Sequence, residues 1–214
     1  MKILFENDAY WVVCKPAGIL SEQDGGRGLA DLLAAQNGGY AGMIHRLDRE
    51  VGGLMLYAKT PAAAAWLSEL ARTGKLKKEY LAAVAGTLEA DAGELTDLLF
   101  YDRSKNKVFP VDHARRGVKN AVLRYRVEKR GEYGGIGNIS LVAVEPVTGR
   151  THQIRVQFAS RRHPVLGDRR YGGPALAGMA EQKGILLACR KLCFPEKDGT
   201  REFFAEPDWS AQLF

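Results

Sequence analysis

The order of apolar and polar positions predicts many strands and few helices. The run from Leu54 to Ala58 is continuously apolar and predicts a buried strand, whereas the strict alternation in 118–130 predicts a strand with two different faces. Further strands are predicted in 2–14 (two, around a turn at 6–8), in 75–86, in 138–160 as a hairpin connected by "PVTG", and in 185–205 as a hairpin around "PEKDG".

Helices are predicted at only two places. Residues 28–36 are helical in pattern, and 60–74 carries stronger boundary signals, because Thr60 is a candidate N-cap, Pro61 takes the first helical position and Gly74 closes the segment. Residues 87–118 lack a clean period and predict an exposed insertion with short strands. Frequent hairpins with few helices indicate an α+β fold with a large mixed sheet, in one domain covering 1–214.

Composition narrows the function classes. The 214 residues carry a formal net charge of +6, which favours a polyanionic partner, and six arginines but one acidic residue lie in 150–170. Three cysteines without a C-x-x-C pair fit a reducing compartment, so a cytoplasmic protein is expected, without a signal peptide or membrane span. The four histidines are scattered, and no metal site is expected.

The segment "HRLDREVGG", residues 45–53, holds the first candidate chemistry. Asp48 lies between Arg46 and Arg49, directly before the buried strand, and the glycines that follow permit close approach of another backbone or a ligand. A solvated loop of weak surface ion pairs is the competing interpretation.

The segment "GRTHQIRVQ", residues 149–157, holds the second. As a strand it would place Thr151, Gln153, Arg155 and Gln157 on one face. Arg155 then either faces solvent or meets a carboxylate in a cleft. Such a pair would favour the charged form of an aspartate, which could act as a nucleophile.

Four blocks together identify a resemblance. "HRLD" before an apolar strand, K-x-Y within "LKKEYLAAVAG", "GRTHQIRVQ" and "HPVLGDRRYGG" follow one another in an order and spacing that resemble the RluA-type pseudouridine synthases of RNA. The resemblance covers nearly the whole chain. It implies the pseudouridine synthase fold, a bent, mostly antiparallel sheet with flanking helices and a central basic cleft, and isomerisation of uridine in RNA without a cofactor.

Matching the motifs residue by residue implies specific roles. The catalytic aspartate falls on Asp48, the active-site tyrosine on Tyr80 and the basic partner of the aspartate on Arg155, while Arg46 matches an arginine that helps to displace the target base. RNA contacts are expected from Arg46, Lys78, Arg150, Gln153 and Arg169, and Leu187 is expected to line the base pocket.

The chain departs from the family pattern at several positions. Val51-Gly52 stands where Thr-Ser is frequent, and Gln157 and Ala188 stand where histidines are usual. These changes affect local packing or RNA contacts more than the chemistry. The N-terminal S4-type RNA-binding domain that is common in the family is expected to be absent.

Two other function classes stay open. A catalytically inactive RNA-binding or RNA-chaperone relative would not need Asp48, Tyr80 and Arg155 together. A carboxylate-dependent hydrolase of nucleosides or glycans would need a second carboxylate, for which Glu50 is the nearest candidate. The expected partner is ribosomal or transfer RNA, bound by a monomer with no obligate protein partner.

Overall fold

The computed structural model describes residues 1–176 and 184–213. The chain divides into two compact units, the first made of Met1–Glu79 and Ala188–Pro207 and the second of Tyr80–Leu187 and Asp208–Phe214. Within the described residues the strands are β1 (Lys2–Glu6), β2 (Tyr10–Lys15), β3 (Gly42–Met43), β4 (Gly52–Ala58), β5 (Lys77–Ala85), β6 (Ala92–Asp102), β7 (Lys107–Val111), β8 (Val118–Tyr133), β9 (Gly137–Pro146), β10 (Leu187–Glu196) and β11 (Gly199–Phe204). The helices are α1 (Leu29–Ala35), α2 (Pro61–Arg72) and α3 (Gln153–Ala159), with 3₁₀ turns at Arg169–Tyr171 and Ser210–Gln212.

The first unit is built on β4. This strand pairs antiparallel with β2 and β3 and parallel with β10, and β1 and β11 extend the sheet beyond β2 and β10. Every β4 residue after Gly52 is buried, as its continuous apolar run predicts. The predicted hairpins at 2–14 and 185–205 are both confirmed.

The glycines before the apolar run have a structural reason. Gly53 has φ +110°, and a Cβ there would lie 2.2 Å from the carbonyl oxygen of Cys189, its register partner on β10. A side chain could not fit without separating β4 from β10, so the predicted close approach of another backbone is confirmed.

The two predicted helices are also confirmed. Helix α2 begins after Thr60, whose hydroxyl accepts from the Ala63 N–H at 3.1 Å, and Gly74 follows its end with φ +70°. Its buried residues, Ala63, Leu67 and Leu70, have the spacing of one helix face.

The second unit carries an antiparallel sheet in the order β5-β9-β8-β6-β7. The prediction that 87–118 forms an exposed insertion with short strands is wrong. Strand β6 spans eleven residues and pairs with both β7 and β8. Leu95, Leu99 and Val108 turn inward from these strands and are buried.

The hairpin predicted for 138–160 is wrong in its second half. Residues 153–159 form α3, entered through His152 in the left-handed conformation with φ 51°. The alternation of polar and apolar residues suggested a strand with one wet face. Arg155 and Gln157 are instead buried, since each has partners from distant parts of the chain.

The α+β class with a mixed, mostly antiparallel sheet is confirmed by the pairing. The organisation as one domain stays a prediction. Among the described helices, none has the length and apolar character needed to cross a bilayer.

Candidate active site

The backbone of the loop that carries Asp48 is held by hydrogen bonds, most of them to buried side chains of the first unit. The hydroxyl of Ser21, which is buried, donates to Leu47 O at 2.8 Å and accepts from Leu47 N–H at 3.1 Å. Tyr57 donates to Ser21 O at 2.6 Å, and Val51 N–H closes a turn onto Asp48 O at 3.0 Å. The half-buried Asp48 therefore lies in a loop whose backbone is held on both sides.

Lys15 lies beneath the same loop. Only 1% of the residue is exposed, and its ammonium donates to the carbonyls of Pro16 (3.1 Å), Ile19 (2.8 Å) and Arg49 (3.3 Å). Burial lowers the pKa of Lys15 to about 8, and the nearby carboxylate of Asp48 opposes that change. Lys15 thus ties the residue after Asp48 to the "KPAG" turn and places positive charge near the carboxylate.

His45 serves the loop as a neutral acceptor. Its Nε2 accepts from Leu56 N–H at 3.3 Å, while burial and the charge of Lys78 lower the pKa of His45 to about 3. Lys78 is itself half-buried, and burial lowers its pKa as well. The charge of Lys78 therefore acts on His45, and the RNA-binding role of Lys78 stays a prediction.

Arg46 points outward from the loop. Its side chain is 63% exposed, and it meets Glu22 at 3.5 Å, a long and weak surface contact. A guanidinium held this loosely can move to a phosphate or into a vacated base position at little cost.

Arg155 forms a buried ion pair in the second unit. Its Nε and Nη2 donate to the two carboxylate oxygens of Asp168 at 2.6 and 2.8 Å, and the side chains are 2% and 1% exposed. This bidentate contact fixes the guanidinium plane. Asp48 belongs to the first unit, so its pairing with Arg155 stays a prediction.

Tyr171 completes the surroundings of Arg155. Its ring lies 5.3 Å from the Arg155 guanidinium carbon, and its hydroxyl accepts from Val108 N–H at 2.9 Å and lies 2.9 Å from His152 Nδ1. Asp168 and Tyr171 both fall in the block "HPVLGDRRYGG", which carried the family resemblance. Their places beside Arg155 are not predictable from the sequence, because no local pattern indicates that α3 packs against this block.

The amide side chains of α3 hold the backbone. Gln153 is 4% exposed, accepts from the Thr148 hydroxyl and Arg150 N–H, and donates to Val122 O at 3.0 Å. The amide of Gln153 thus braces the turn before α3, and its contact with RNA stays a prediction. Gln157, where a histidine is usual, donates to Asp97 Oδ2 at 2.8 Å and to Leu95 O at 3.1 Å.

The remaining predicted residues fall into two groups. Tyr80, opposite Val144 on β9, and Leu187 are buried. Arg169 is exposed, and Arg150 is half-exposed with its Nε donating to Asn120 O at 2.8 Å. Both arginines are accessible to a polyanion, whereas their contacts with RNA stay predictions. No metal-binding group of histidine, cysteine or acidic side chains occurs among the described residues.

The comparisons with known proteins show which family the chain is similar to. A family model described as RNA pseudouridylate synthase matches residues 9–160. The ribosomal large subunit pseudouridine synthase C of Haemophilus ducreyi is 33% identical over 189 residues, which are 86% of this chain and 57% of that protein. The dual-specificity RNA pseudouridine synthase RluA of Yersinia pestis is 32% identical over 98% of this chain and 100% of its own length.

A solved structure shows the same fold. Human RNA pseudouridylate synthase domain containing 1 superposes with a TM-score of 0.80 at 23% identity, over 100% of this chain and 86% of that one. The chain spans less than two thirds of several curated relatives, among them the Haemophilus protein at 57% and an uncharacterized RNA pseudouridine synthase of Bacillus subtilis at 58%. The family model covers well over half of the sequence, and the chain therefore belongs to the RNA pseudouridylate synthase family, in its RluA-type branch.

Proposed function

We propose that the protein converts specific uridines of ribosomal or transfer RNA to pseudouridine, with Asp48 as the nucleophile. The observation that carries the proposal is the preorganised Asp48 loop, braced by Ser21 and Lys15, in a chain of this family. A carboxylate on a rigid loop loses little conformational freedom when it meets the reacting carbon.

The target base has to leave its stack before the sugar can be attacked. The exposed Arg46 would fill the vacated position or hold a phosphate. Tyr80 would stack on the extruded pyrimidine and take part in proton transfer. Arg155, oriented by Asp168, would keep the attacking carboxylate ionised.

The reaction balances without an external reagent. Asp48 attacks the sugar or assists glycosidic cleavage, so that the bond between N1 and C1′ breaks. The base rotates and C5 bonds to C1′, and where Asp48 has bonded to C1′ that bond breaks in the same step and frees the carboxylate. C5 then loses a proton while N1 gains one. No net water or electron is consumed. We expect a monomer that acts without a cofactor. We also expect it to act in the cytoplasm, because three free cysteines fit a reducing compartment.

The test is release of tritium from RNA labelled at uridine C5. Ribosomal and transfer RNA transcripts are incubated with wild type, Asp48→Asn and the control Glu50→Gln. We expect release by wild type and Glu50→Gln and none by Asp48→Asn. Equal release by wild type and Asp48→Asn would remove Asp48 from the chemistry.

Two further outcomes separate the competing classes. Free uracil in the products would indicate a hydrolase, and RNA binding without any release would indicate a binding protein. Arg155→Met should abolish release with a milder effect on RNA binding, and survival of activity would contradict the Arg155–Asp48 pairing.

A further inference from the structure

The hairpin of β6 and β7 presents two aromatic rings on its outer side. Phe100 and Phe109 are direct register partners, so their side chains lie on the same face. The neighbouring positions Leu99 and Val108 point the other way into a core cluster and are 3% and 2% exposed. The inward residues therefore hold the hairpin to the unit, and the two rings lie half-buried on the side away from that core.

Cations surround these rings. The ammonium groups of Lys105 and Lys107 lie 5.7 and 5.6 Å from the Phe109 centroid, and the Arg115 guanidinium carbon lies 5.1 Å from the Phe100 centroid. Over 100–119 six basic residues stand against two acidic ones. Neither Lys107 nor Arg115 pairs with a carboxylate within the part of the chain that the structure describes. We call Phe100, Phe109, Lys105, Lys107 and Arg115 the aromatic-basic face.

This face is held in place by its surroundings. The N–H of Val108 donates to the Tyr171 hydroxyl at 2.9 Å, Lys107 lies 5.2 Å from the Tyr171 ring, and the Arg170 guanidinium donates to Asn106 O in the hairpin turn. Within the turn Asp102 accepts from Ser104 N–H at 3.0 Å and Lys105 N–H at 3.3 Å. The rings are thus presented by an ordered hairpin and need no folding step to meet a ligand.

We propose that the aromatic-basic face binds an unpaired stretch of the substrate RNA. The inference rests on the proposed function, because it takes RNA as the substrate. Rings that present one accessible face stack on bases of any sequence, and cations beside the rings bind the phosphates that join those bases. A duplex keeps its bases stacked on one another, so it could use the cations and not the rings. The pairing of rings with cations therefore favours single-stranded RNA.

The test compares two RNA probes and needs no turnover. A fluorescein-labelled 20-nucleotide oligouridine and a 20-base-pair RNA duplex are titrated with protein, and anisotropy is measured from low to moderate salt. We expect Phe109→Ala and Phe109→Leu to weaken oligouridine binding by about fivefold or more, the effect of losing one base–aromatic stack, with duplex binding unchanged. Phe109→Trp should bind as wild type does.

Lysine replacement should give a different signature. Lys107→Ala should weaken binding of both probes and reduce the slope of log affinity against log salt by about 0.7 for the single strand. The control is Phe204→Ala, which removes an exposed ring with a guanidinium 5.8 Å away, on β11 of the first unit. This control should bind both probes as wild type does.

The outcomes distinguish this inference from the proposed function. Unchanged oligouridine binding by Phe109→Leu, or an equal loss in Phe204→Ala, overturns the inference even where wild type releases tritium. A selective loss of oligouridine binding supports it, and this holds even where wild type releases no tritium and the proposed function fails.

Discussion

Replacing Lys15 by methionine would remove a buried ammonium group and keep most of the side chain's length and volume. In the folded protein the pKa of Lys15 is lowered from its ordinary 10.5 to about 8, with burial as the leading cause. In the unfolded chain the same group faces water and titrates near its ordinary value. Between these two pH values the unfolded state binds more protons than the folded state, so stability rises with pH across the window.

The magnitude follows from the displacement of the pKa. At about 1.4 kcal/mol for each pH unit, a change from 10.5 to about 8 corresponds to about 3 kcal/mol of unfolding free energy. Below pH 8 the charge is present in both states, and its desolvation weakens the fold by that amount. Between pH 8 and 10.5 the folded state releases the proton, and the protein regains this unfolding free energy.

The assay is urea unfolding of wild type and Lys15→Met at intervals from pH 7 to 10.5. Other groups titrate here with the opposite effect, since burial raises the pKa of the Cys189 thiol to about 12 and that of the Tyr57 hydroxyl above its usual range. The difference between the two proteins cancels these groups. We expect wild type to gain up to about 3 kcal/mol relative to the variant by pH 10.5.

Parallel pH profiles for the two proteins would refute the reasoning, whatever their difference in stability at pH 7. Lys15→Met also leaves three carbonyl acceptors without their donor. These carbonyls do not titrate, so their loss shifts the unfolding free energy of the variant by the same amount at every pH. Lys197→Met, at an exposed turn, is the control and should follow the wild-type profile.

The other predictions concern tight packing and charge burial. Asp168→Asn leaves the buried Arg155 without its carboxylate and should cost about 3–5 kcal/mol in urea unfolding, whereas Glu69→Gln, which breaks an exposed pair with Arg72, should cause no measurable change. Equal effects of the two would contradict the burial argument. Gly53→Ala should lose about 1–3 kcal/mol or more, because its Cβ would meet Cys189 O at 2.2 Å. Gly52→Ala, whose Cβ would lie 3.4 Å from Lys15 O, is the matched control and should lose clearly less.

Local signals predicted the elements whose ends are set by nearby residues. Thr60 and Gly74 delimit α2 through their own side-chain and backbone properties, and the apolar run of β4 is buried wherever it lies in a sheet. Helix α3 was missed for the opposite reason. The burial of Arg155 depends on Asp168, thirteen positions away, and that of Gln157 on residues more than thirty positions away, so seven residues of alternating pattern could not distinguish helix from strand.

Some residues of the candidate site are likewise predictable from local sequence, and others are not. The motif "HRLD" located Asp48 and the exposed Arg46, because residue type alone marks them. The bracing of that loop was not predictable, since Ser21 and Lys15 act on backbone carbonyls of residues 26 and 34 positions away, and a carbonyl carries no side-chain signature. Asp168 and Tyr171 contact Arg155 through their side chains, and this brace escaped prediction because residues 153–159 were expected to be a strand.

The parallel pairing of β10 with β4 bears on how the chain folds as it leaves the ribosome. Gly52 and Gly53 find their β10 partners at residues 188 and 189, so the Gly52 end of one β4 edge stays unpaired until about 135 further residues have been translated. The second unit, in turn, buries Trp209 and Leu213, which are synthesised later still. Neither unit can reach its final packing from the earlier part of the chain alone. A nascent chain stalled before residue 188 would therefore expose a strand edge open to mispairing, and such a chain is where chaperone dependence should be greatest.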